Sequence, residues 1–281
     1  MPPKNSRPDR YALVGHPVSH SRSPLIHQLF ARQTDENMSY ELIDASPDEF
    51  ETAALGFAAA GGLGMNVTVP HKEAAYELCR THGKEAEAAG AVNTISFSKG
   101  RRHGDNTDGT GFLRDLLGNH KQEIATKRVL MLGAGGAARG IIHPILGEGP
   151  TELIVANRTI ERAEALLQKL GAPQGLSICR FNELDDVEPF DIVINATSAG
   201  LKGEQPPFPT SLVNSDTFCY DLAYSLKPTP FVVWADTNGA GYAVQGWGML
   251  VEQAAESFKI WRGIQPETKP ILSTLMKVAA A

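Results

Sequence analysis

The fold is decided by the stretch Arg128-Val-Leu-Met-Leu-Gly-Ala-Gly-Gly-Ala-Ala-Arg-Gly140. Its first half is a short apolar run rich in Val and Leu, which is typical of a buried parallel strand. Gly133, Gly135 and Ala138 then match the G-x-G-x-x-G/A pattern of a dinucleotide-binding turn. In that pattern the glycines allow a tight turn and the close approach of a pyrophosphate, and the alanine lets the helix pack on the strand. An ordinary glycine-rich strand-to-helix turn has a similar sequence, so the flanking segments have to distinguish the two.

A second strand is predicted at Leu153-Ile-Val-Ala-Asn-Arg-Thr159. It follows the turn by about 20 residues, where dinucleotide-binding folds place the residue that contacts the adenosine ribose. An Asp or Glu there would bind the 2′-hydroxyl of NAD, whereas Arg suits the 2′-phosphate of NADP. This strand ends without an acid and carries Arg158, with Arg162 one helical turn later. The alternative is that both arginines are solvated residues at the start of a helix.

Two further apolar segments, 191–195 and 218–222, alternate with helical patterns. This alternation predicts an α/β fold with a doubly wound, Rossmann-like parallel sheet. We expect the cofactor-binding domain to span 109–242. The remaining segments, 1–108 and 243–281, are expected to form a discontinuous N-terminal α/β substrate-binding domain onto which the C-terminal helices pack back.

The composition is that of a globular protein, with 281 residues, 42% hydrophobic and 21% charged. A net charge of −6 and the lack of a long basic run make nucleic acid and acidic membrane surfaces poor partners. The sequence shows no apolar segment that could cross a membrane, no signal peptide and no metal-ligand cluster. Cys79, Cys179 and Cys219 are far apart, so we expect buried thiols, a reducing compartment and a cytoplasmic protein.

Polar residues follow the first predicted strand, 11–15. Ser21 and Ser23 lie in a loop that leads into a helix, and Pro24 suits the first helical position. Ser23 is therefore predicted to be the N-cap of this helix. A pair of hydroxyl groups beside a helix N-terminus is also a good receptor for a carboxylate.

The segment Gly64-Met-Asn-Val-Thr-Val-Pro-His-Lys72 predicts a strand followed by a helix. Alternation places two groups on opposite faces of the strand: apolar Met65, Val67 and Val69, and polar Asn66 and Thr68. Pro70 is predicted to end the strand and begin a helix with Lys72 in its first turn, where the helix dipole does not favour a cation. A lysine at the carboxyl end of a strand is placed for ligand binding, although a solvent-facing lysine is the alternative.

Three further polar residues lie later in the chain. Asn93 follows a polar helix, and Asp108 lies in the polar run 104–111, where Asx-turn chemistry is the alternative to a functional role. This run leads into a predicted helix at 112–117. Gln253 lies one turn inside an amphipathic helix predicted over 249–261.

Eight blocks of the sequence together resemble the shikimate dehydrogenase family, and they occur in order over nearly the whole chain. The blocks are Ser21-Arg-Ser-Pro24, Asn66-Val-Thr-Val-Pro-His-Lys72, Ala91-Val-Asn-Thr94, Asn106-Thr-Asp-Gly109, Gly133–Gly140, Asn157-Arg-Thr159, Asn195-Ala-Thr197 and Gly248-Met-Leu-Val-Glu-Gln253. Members of the family often carry Asp where Gln245 stands and Leu where Trp247 stands.

The resemblance implies a reversible, NADPH-dependent reduction of 3-dehydroshikimate to shikimate, on the route to chorismate and the aromatic amino acids. It implies that Lys72 and Asp108 form the catalytic pair and that Ser21 and Ser23 hold the substrate carboxylate. It assigns the rest of the substrate site to Asn66, Thr68, Asn93, Tyr224 and Gln253. It assigns NADP binding to Gly133, Ala134, Gly135, Gly136, Ala137, Asn157, Arg158, Thr159, Arg162, Thr197, Gly246 and Met249.

Two other functions remain to be weighed. One is a quinate/shikimate dehydrogenase with relaxed cofactor use, against which the serine pair and Arg158 argue. The other is a non-catalytic NADP-binding regulator, which would have no need of the proton donor that Lys72 and Asp108 provide. We expect small-molecule ligands and a monomer or a homodimer.

Overall fold

The structure is a computed structural model that describes residues 7–185, 187–197 and 208–280. The chain divides into two compact units. The first comprises Met1–Gly111 and Leu250–Leu272, and the second comprises Phe112–Met249 and Ser273–Ala281. The boundaries of the substrate and cofactor domains stay a prediction, because ligand-binding domains need not coincide with units of compact packing.

The first unit contains a mixed sheet with the strand order β2-β1-β3-β5-β6-β4. Its elements are β1 (Asp9–Gly15), α1 (Ser23–Thr34), β2 (Met38–Asp44), α2 (Phe50–Ala59), β3 (Gly62–Val67), α3 (Lys72–Leu78), β4 (Thr81–His82), α4 (Lys84–Ala89), β5 (Thr94–Ser98) and β6 (Arg101–Asp105). Strand β1 runs parallel to β2 and β3, whereas β5 and β6 form an antiparallel hairpin. The carboxyl ends of β1, β2 and β3 therefore lie at one edge of the sheet.

Strand β3 shows why the two faces of this sheet differ. Met65 and Val67 are buried in the apolar core with residues of α2 and α3, while Asn66 points to the opposite face. The prediction that Val69 lies on the same face of the strand as Met65 and Val67 is wrong, because the strand ends at Val67 and Val69 is exposed. The following helix, α3, begins at Lys72 and not at Pro70.

The second unit contains a parallel sheet with the strand order β12-β11-β10-β7-β8-β9. Its elements are β7 (Arg128–Leu132), α6 (Gly136–Gly147), β8 (Glu152–Asn157), α7 (Ile160–Lys169), β9 (Leu176–Arg180), β10 (Ile192–Asn195), β11 (Phe218–Asp221), α8 (Pro230–Thr237) and β12 (Tyr242–Gln245). The chain order reverses on either side of β7, which is the doubly wound topology of dinucleotide-binding sheets. The predicted fold class is confirmed.

Both faces of β7 are buried, as a central parallel strand requires. Val129 and Met131 pack in one apolar cluster, and Leu130 and Leu132 pack in another. Burial of both faces explains why the sequence of this strand is a continuous Val- and Leu-rich run, since a polar residue on either face would lose its hydration.

Two helical segments differ from their predicted bounds. A helix was expected over 112–117, but α5 spans Asp108–Leu113 and a π-helix follows over Arg114–Asn119. Helix α9 spans Trp247–Arg262, longer than the predicted 249–261, and α10 follows it over Lys269–Ala280. Within the described residues, no helix has the length and apolar character needed to span a bilayer.

The three cysteines are free, and two of them, Cys79 and Cys219, are buried as predicted. Cys179 is only half-buried, because β9 is an edge strand of the second sheet. Burial raises the pKa of the Cys179 thiol to about 11 and that of Cys79 to about 12. These thiols are therefore protonated at neutral pH.

Candidate functional site

Lys72 and Asp108 form an ion pair between Nζ and Oδ2 in the first unit. Each is the first residue of a helix, Lys72 of α3 and Asp108 of α5. Their side chains are only 11% and 6% exposed, so Lys72 is not a solvent-facing lysine. A carboxylate at this position holds the ammonium group in one direction through a charge-assisted hydrogen bond.

Asn93 holds the carboxylate of this pair from the other side. Its Nδ2 donates to Asp108 Oδ1 at 2.8 Å and to Thr107 Oγ1 at 2.9 Å. Its Oδ1 accepts hydrogen bonds from the backbone N–H of Thr107 and from Thr94 Oγ1. Because Asn93 is 2% exposed, these bonds set one orientation of the amide and hence of Asp108.

Asn66 extends the same buried network across the sheet. Its Oδ1 accepts a hydrogen bond from Tyr40 Oη at 2.8 Å. Its Nδ2 lies within hydrogen-bond distance of the Asn93 carbonyl oxygen, Thr94 Oγ1 and Ser257 Oγ. Asn66 is therefore held by groups from several strands and from α9, which makes it a rigid part of the site.

Gln253 reaches the network from α9. Its Oε1 lies 3.4 Å from Asn93 Nδ2 and 3.5 Å from Thr107 Oγ1, and its Nε2 donates to the Leu250 carbonyl oxygen. The helix approaches closely because residue 111 is glycine, where a Cβ would lie 2.6 Å from Gln253 Cβ. Gln253 thus joins the amide and hydroxyl groups around Asp108.

Four residues of this network were not predicted, namely Tyr40, Thr94, Thr107 and Ser257. A signal existed for Thr107, which stands between Asn106 and Asp108, and for Ser257, which lies four residues after Gln253 on the same helix face. Tyr40 gave no local signal, because β1 lies between its strand and that of Asn66.

The charge of the network is confined to the Lys72–Asp108 pair, since its other members are amides and hydroxyls. His27 stacks on the Tyr40 ring at 4.2 Å, and burial lowers the pKa of His27 to about 3. This histidine is therefore neutral and adds no cation beside Asn66. The arrangement suits a neutral polyhydroxy ring next to one proton donor.

Ser21 and Ser23 lie in the loop between β1 and α1. Ser21 Oγ accepts a hydrogen bond from the backbone N–H of Ser23 at 3.2 Å, and the two hydroxyl oxygens are also 3.2 Å apart. The prediction that Ser23 is the N-cap is wrong, because α1 begins at Ser23 and its cap, Arg22, makes no side-chain capping bond.

The loop between β1 and α1, residues 16–22 and here called the serine loop, starts at the sheet edge where the carboxyl end of β3 lies. A Cβ on Gly15, the last residue of β1, would lie 2.5 Å from Thr68 Cγ2, so the two strand ends touch. The backbone N–H of His16 also donates to the Val69 carbonyl oxygen. Ser21, Ser23 and Thr68 therefore belong to the same edge of the first sheet.

The second unit forms the glycine-rich turn that its sequence predicts. Gly133 follows β7 with φ of +104°, a conformation that favours glycine, and a Cβ there would lie 3.0 Å from the Ala196 carbonyl oxygen. Helix α6 begins at Gly136, with Gly135 as a cap that has no side chain to bond the first N–H groups. A Cβ on Gly135 would meet nothing within 4 Å, so this backbone is open to a ligand.

This turn has the donor set that a pyrophosphate requires, since the N–H groups of a helix N-terminus bind anions. Around it lie half-buried Gly136 and Ala137, while Ala134 is buried and Ala138 packs in the core. The small residues therefore keep the strand-to-helix turn tight without filling the space beside Gly135.

The end of β8 supplies cationic groups. Asn157 is its last residue, and Asn157 Nδ2 donates to the Thr159 carbonyl oxygen at 2.7 Å, which shapes the turn into α7. Arg158 and Arg162 are exposed around this turn. With no acid at the strand end, the residues fit a phosphorylated ribose better than a free 2′-hydroxyl.

The other predicted cofactor residues follow β10 and β12 in the chain. Thr197 donates from its N–H and Oγ1 to Asn195 Oδ1 in an Asx turn. Gly246 follows β12, and a Cβ there would lie 2.6 Å from the Leu222 carbonyl oxygen. Met249 is buried near the start of α9.

Tyr224 lies in this second unit, unlike the other residues that the resemblance assigns to the substrate. Its ring packs at 4.7 Å on Trp247, one of the two departures from the family pattern. The other, Gln245, accepts a hydrogen bond from the backbone N–H of Ser225 at 2.8 Å. Both departures thus hold the loop that follows β11. Among the described residues, no group of three or more His, Cys, Asp or Glu side chains is arranged to hold a metal ion.

Comparison with known families gives matches over most of the chain. The shikimate dehydrogenase substrate binding domain matches residues 13–95, shikimate/quinate 5-dehydrogenase matches 115–202, and the shikimate 5′-dehydrogenase C-terminal domain matches 246–276. These three segments include most of the residues described above.

Individual relatives agree with these matches. Shikimate dehydrogenase (NADP(+)) of Alkalilimnicola ehrlichii is 52% identical over 95% of this chain and 98% of its own length. An Ael1 enzyme from Pseudomonas putida is 44% identical, with a TM-score of 0.86 over 95% of this chain and 98% of that one. The Thermus thermophilus shikimate 5-dehydrogenase solved in complex with NADP(H) and shikimate is 32% identical, with a TM-score of 0.83 over 96% and 99%. The chain therefore belongs to the shikimate dehydrogenase family.

Proposed function

We propose that this protein catalyses the reversible NADPH-dependent reduction of 3-dehydroshikimate to shikimate. The observation that carries the proposal is the Lys72–Asp108 ion pair within a network of neutral amides and hydroxyls. Reduction of a ketone requires a proton donor beside the carbonyl oxygen, and recognition of a polyhydroxy ring requires neutral hydrogen-bonding groups. The curated relative from Alkalilimnicola ehrlichii carries the corresponding name.

In this proposal Lys72 donates a proton to the carbonyl oxygen as the carbonyl carbon becomes tetrahedral. NADPH, when bound, supplies the hydride. Asp108 orients the ammonium group and, through its bond to Asn93, keeps it in one position. In the direction of shikimate oxidation, Lys72 takes the proton back from the hydroxyl group.

The remaining substrate groups are assigned by their chemistry. Ser21 and Ser23 bind the carboxylate as neutral donors, and the serine loop and Thr68 share one sheet edge. The ring hydroxyls are bound by Asn66, Thr68, Asn93 and Gln253, and Tyr224 also lines the substrate site.

The cofactor is assigned to the second unit. The turn residues Gly133, Ala134, Gly135, Gly136 and Ala137 hold the pyrophosphate, supported by the open backbone at Gly135. The adenosine 2′-phosphate is bound by Asn157, Arg158, Thr159 and Arg162. Thr197, Gly246 and Met249 hold the other half of the dinucleotide.

We further propose that the reaction serves aromatic amino acid biosynthesis and takes place in the cytoplasm. The three cysteines are free thiols, which is typical of proteins from reducing compartments.

A steady-state assay of four substrate–cofactor pairs tests the reaction. Shikimate and quinate are each offered with NADP and with NAD, and nicotinamide reduction is followed by absorbance. We expect shikimate with NADP to give the highest kcat/KM. Comparable rates with quinate or with NAD would favour a quinate/shikimate dehydrogenase, and NADP binding without turnover of either substrate would favour a regulator.

The serine pair gives a separate prediction on substrate affinity. We expect Ser21→Ala and Ser23→Ala each to raise the KM for shikimate about 10-fold, the effect of losing a hydrogen bond to a charged group. The KM for NADP should stay unchanged. Because Ser23 makes no capping bond, its replacement should leave the melting temperature near that of the wild type.

The matched control is Ser98→Ala, which removes an exposed hydroxyl from the β5–β6 hairpin of the same unit. A lowered melting temperature with unchanged shikimate KM in Ser23→Ala would contradict the assignment and restore a purely structural role.

A further inference from the structure

A buried carboxylate and a buried phenol meet beside the start of α9. Asp115 lies on the π-helix and Tyr220 on β11, and each residue is 0% exposed. Tyr220 Oη donates a hydrogen bond to Asp115 Oδ2 at 2.5 Å. An ionised carboxylate away from water destabilises a protein unless hydrogen bonds compensate for its lost hydration, so Asp115 depends on contacts of this kind.

The surrounding groups keep the carboxylate ionised. Asn119 Nδ2 donates to Asp115 Oδ1 at 2.8 Å, and His120 Nε2 lies 3.5 Å from Oδ2. Burial acts to raise the pKa of Asp115, but the hydrogen bonds from His120, Tyr220 and Asn119 outweigh it and the pKa is lowered. Burial and the neighbouring Asp115 raise the pKa of Tyr220, so the phenol keeps its proton and is the donor.

Both groups contact the first turn of α9. The backbone N–H of Met249 faces the Tyr220 hydroxyl oxygen, where it acts to lower the pKa of the phenol. A Cβ on Gly248 would lie 1.9 Å from Asp115 Oδ1 and 2.2 Å from Cγ, so the carboxylate packs directly on the glycine backbone. The first N–H groups of a helix lack partners within the helix, and a negative charge there is favourable.

The position of this turn in the sheet connects it with the cofactor. Strands β8 and β9 lie on one side of β7, and β10, β11 and β12 lie on the other. A doubly wound sheet binds the two halves of a dinucleotide on these two sides. Since Arg158 follows β8 and is assigned to the adenosine 2′-phosphate, Gly246 after β12 belongs to the nicotinamide half.

We propose that Asp115 and Tyr220 are positioning residues that fix the backbone of Gly248 and Met249 and thereby hold the nicotinamide side of the cofactor site. This proposal rests on the proposed function for the identity of the cofactor. The pair acts through the main chain and not by contact with a ligand. Loss of the Tyr220 hydroxyl leaves both the Met249 N–H and the Asp115 carboxylate short of a partner, which frees the turn to shift.

The test compares a whole cofactor with its adenosine half. Tyr220→Phe is titrated calorimetrically with NADPH and with adenosine 2′,5′-bisphosphate, which carries the 2′-phosphate but no nicotinamide. We expect the Kd for NADPH to rise about 10-fold, while the Kd for the bisphosphate stays within about twofold of the wild type. In steady-state assays kcat should fall, and the KM for shikimate should change little, because a displaced hydride donor is misaligned.

Tyr11→Phe is the matched control. Tyr11 is also a buried tyrosine, its hydroxyl accepts a hydrogen bond from Arg262 Nη1 at 3.2 Å, and it lies in the first unit. This variant loses a buried hydroxyl of the same kind and should bind both ligands as the wild type does.

Asp115→Asn is the second variant, and it keeps the size of the side chain while removing the charge. It should weaken NADPH binding in the same direction without affecting the bisphosphate, and it decides the question if Tyr220→Phe does not fold. Unchanged NADPH affinity in both variants, or equal losses for the two ligands, would overturn the inference. A wild type that binds NADPH but does not oxidise shikimate would refute the proposed reaction alone, because the two titrations need no turnover.

Discussion

Lys72→Ala is expected to lower kcat for shikimate oxidation by about 10²–10⁴-fold, the usual contribution of general acid–base catalysis. The ion pair with Asp108 places the ammonium group at the centre of the polar network, and the side chain is 11% exposed. An alanine leaves no group there to transfer the proton. The KM for shikimate should change much less than kcat, because the other amides and hydroxyls still bind the ring. Steady-state kinetics at saturating NADP measures both quantities.

Three further variants separate proton transfer from binding. Lys72→Arg should not restore the rate, because a guanidinium group stays protonated and cannot pass a proton in either direction. Asp108→Asn should also slow turnover, since it removes the charge that orients the ammonium group. The double variant Lys72→Ala/Asp108→Asn should show a smaller fold-decrease in kcat than the product of the decreases of the two single variants, because the two residues act as one unit.

The matched control for this series is Lys84→Ala. Lys84 is the first residue of α4, as Lys72 is of α3, but it is exposed. Its replacement should leave kcat unchanged. If Lys72→Ala retained near-normal turnover and lost only affinity for shikimate, Lys72 would be a binding residue and the proton donor would lie elsewhere.

The parts of the fold that could be predicted are those encoded by local pattern. The run before Gly133 is apolar on both faces because β7, which spans Arg128–Leu132, is a central strand. The alternation of Met65, Asn66 and Val67 predicted the two different faces of β3, because successive side chains of a strand point to opposite sides. In each case one strand period decides which side chains enter a core.

Local pattern failed where a polar residue had two possible partners. Ser23 before a proline has the composition of an N-cap, but the preceding residue takes that place and Ser21 accepts the Ser23 N–H. The polar run before Gly111 resembled a loop, yet α5 starts inside it at Asp108. Asn106 Oδ1 accepts the N–H of Asp108, a contact that sequence composition does not reveal.

The tertiary part of the site was beyond sequence reasoning. Tyr40 bonds Asn66 across an intervening strand, and Tyr220 bonds Asp115 over a separation of 105 residues. Neither tyrosine stands in a motif. Tyr40 reaches Asn66 through the strand order of its sheet, and Tyr220 on β11 reaches Asp115 on the π-helix that follows α5. The resemblance to a family supplied the residues that we propose to contact ligands, whereas the residues that hold them in place emerged from the structure.

Arg158→Ala is expected to raise the KM for NADP about 10- to 100-fold and to leave kinetics with NAD nearly unchanged. A hydrogen bond to a charged group contributes roughly 1.5–3 kcal/mol, and each 1.4 kcal/mol corresponds to about a tenfold change in affinity. Arg158 follows the last residue of β8, where no acid stands to bind a free 2′-hydroxyl. The variant should therefore lose its preference for NADP over NAD mainly because its KM for NADP rises.

Arg101→Ala, which removes an exposed arginine from β6 of the first unit, is the control for loss of charge alone. The same assays on Arg162→Ala should show a smaller effect in the same direction, because this residue lies one helical turn further on. Equal losses with NADP and NAD in Arg158→Ala would show that the arginine supports the turn into α7 and does not read the 2′-phosphate.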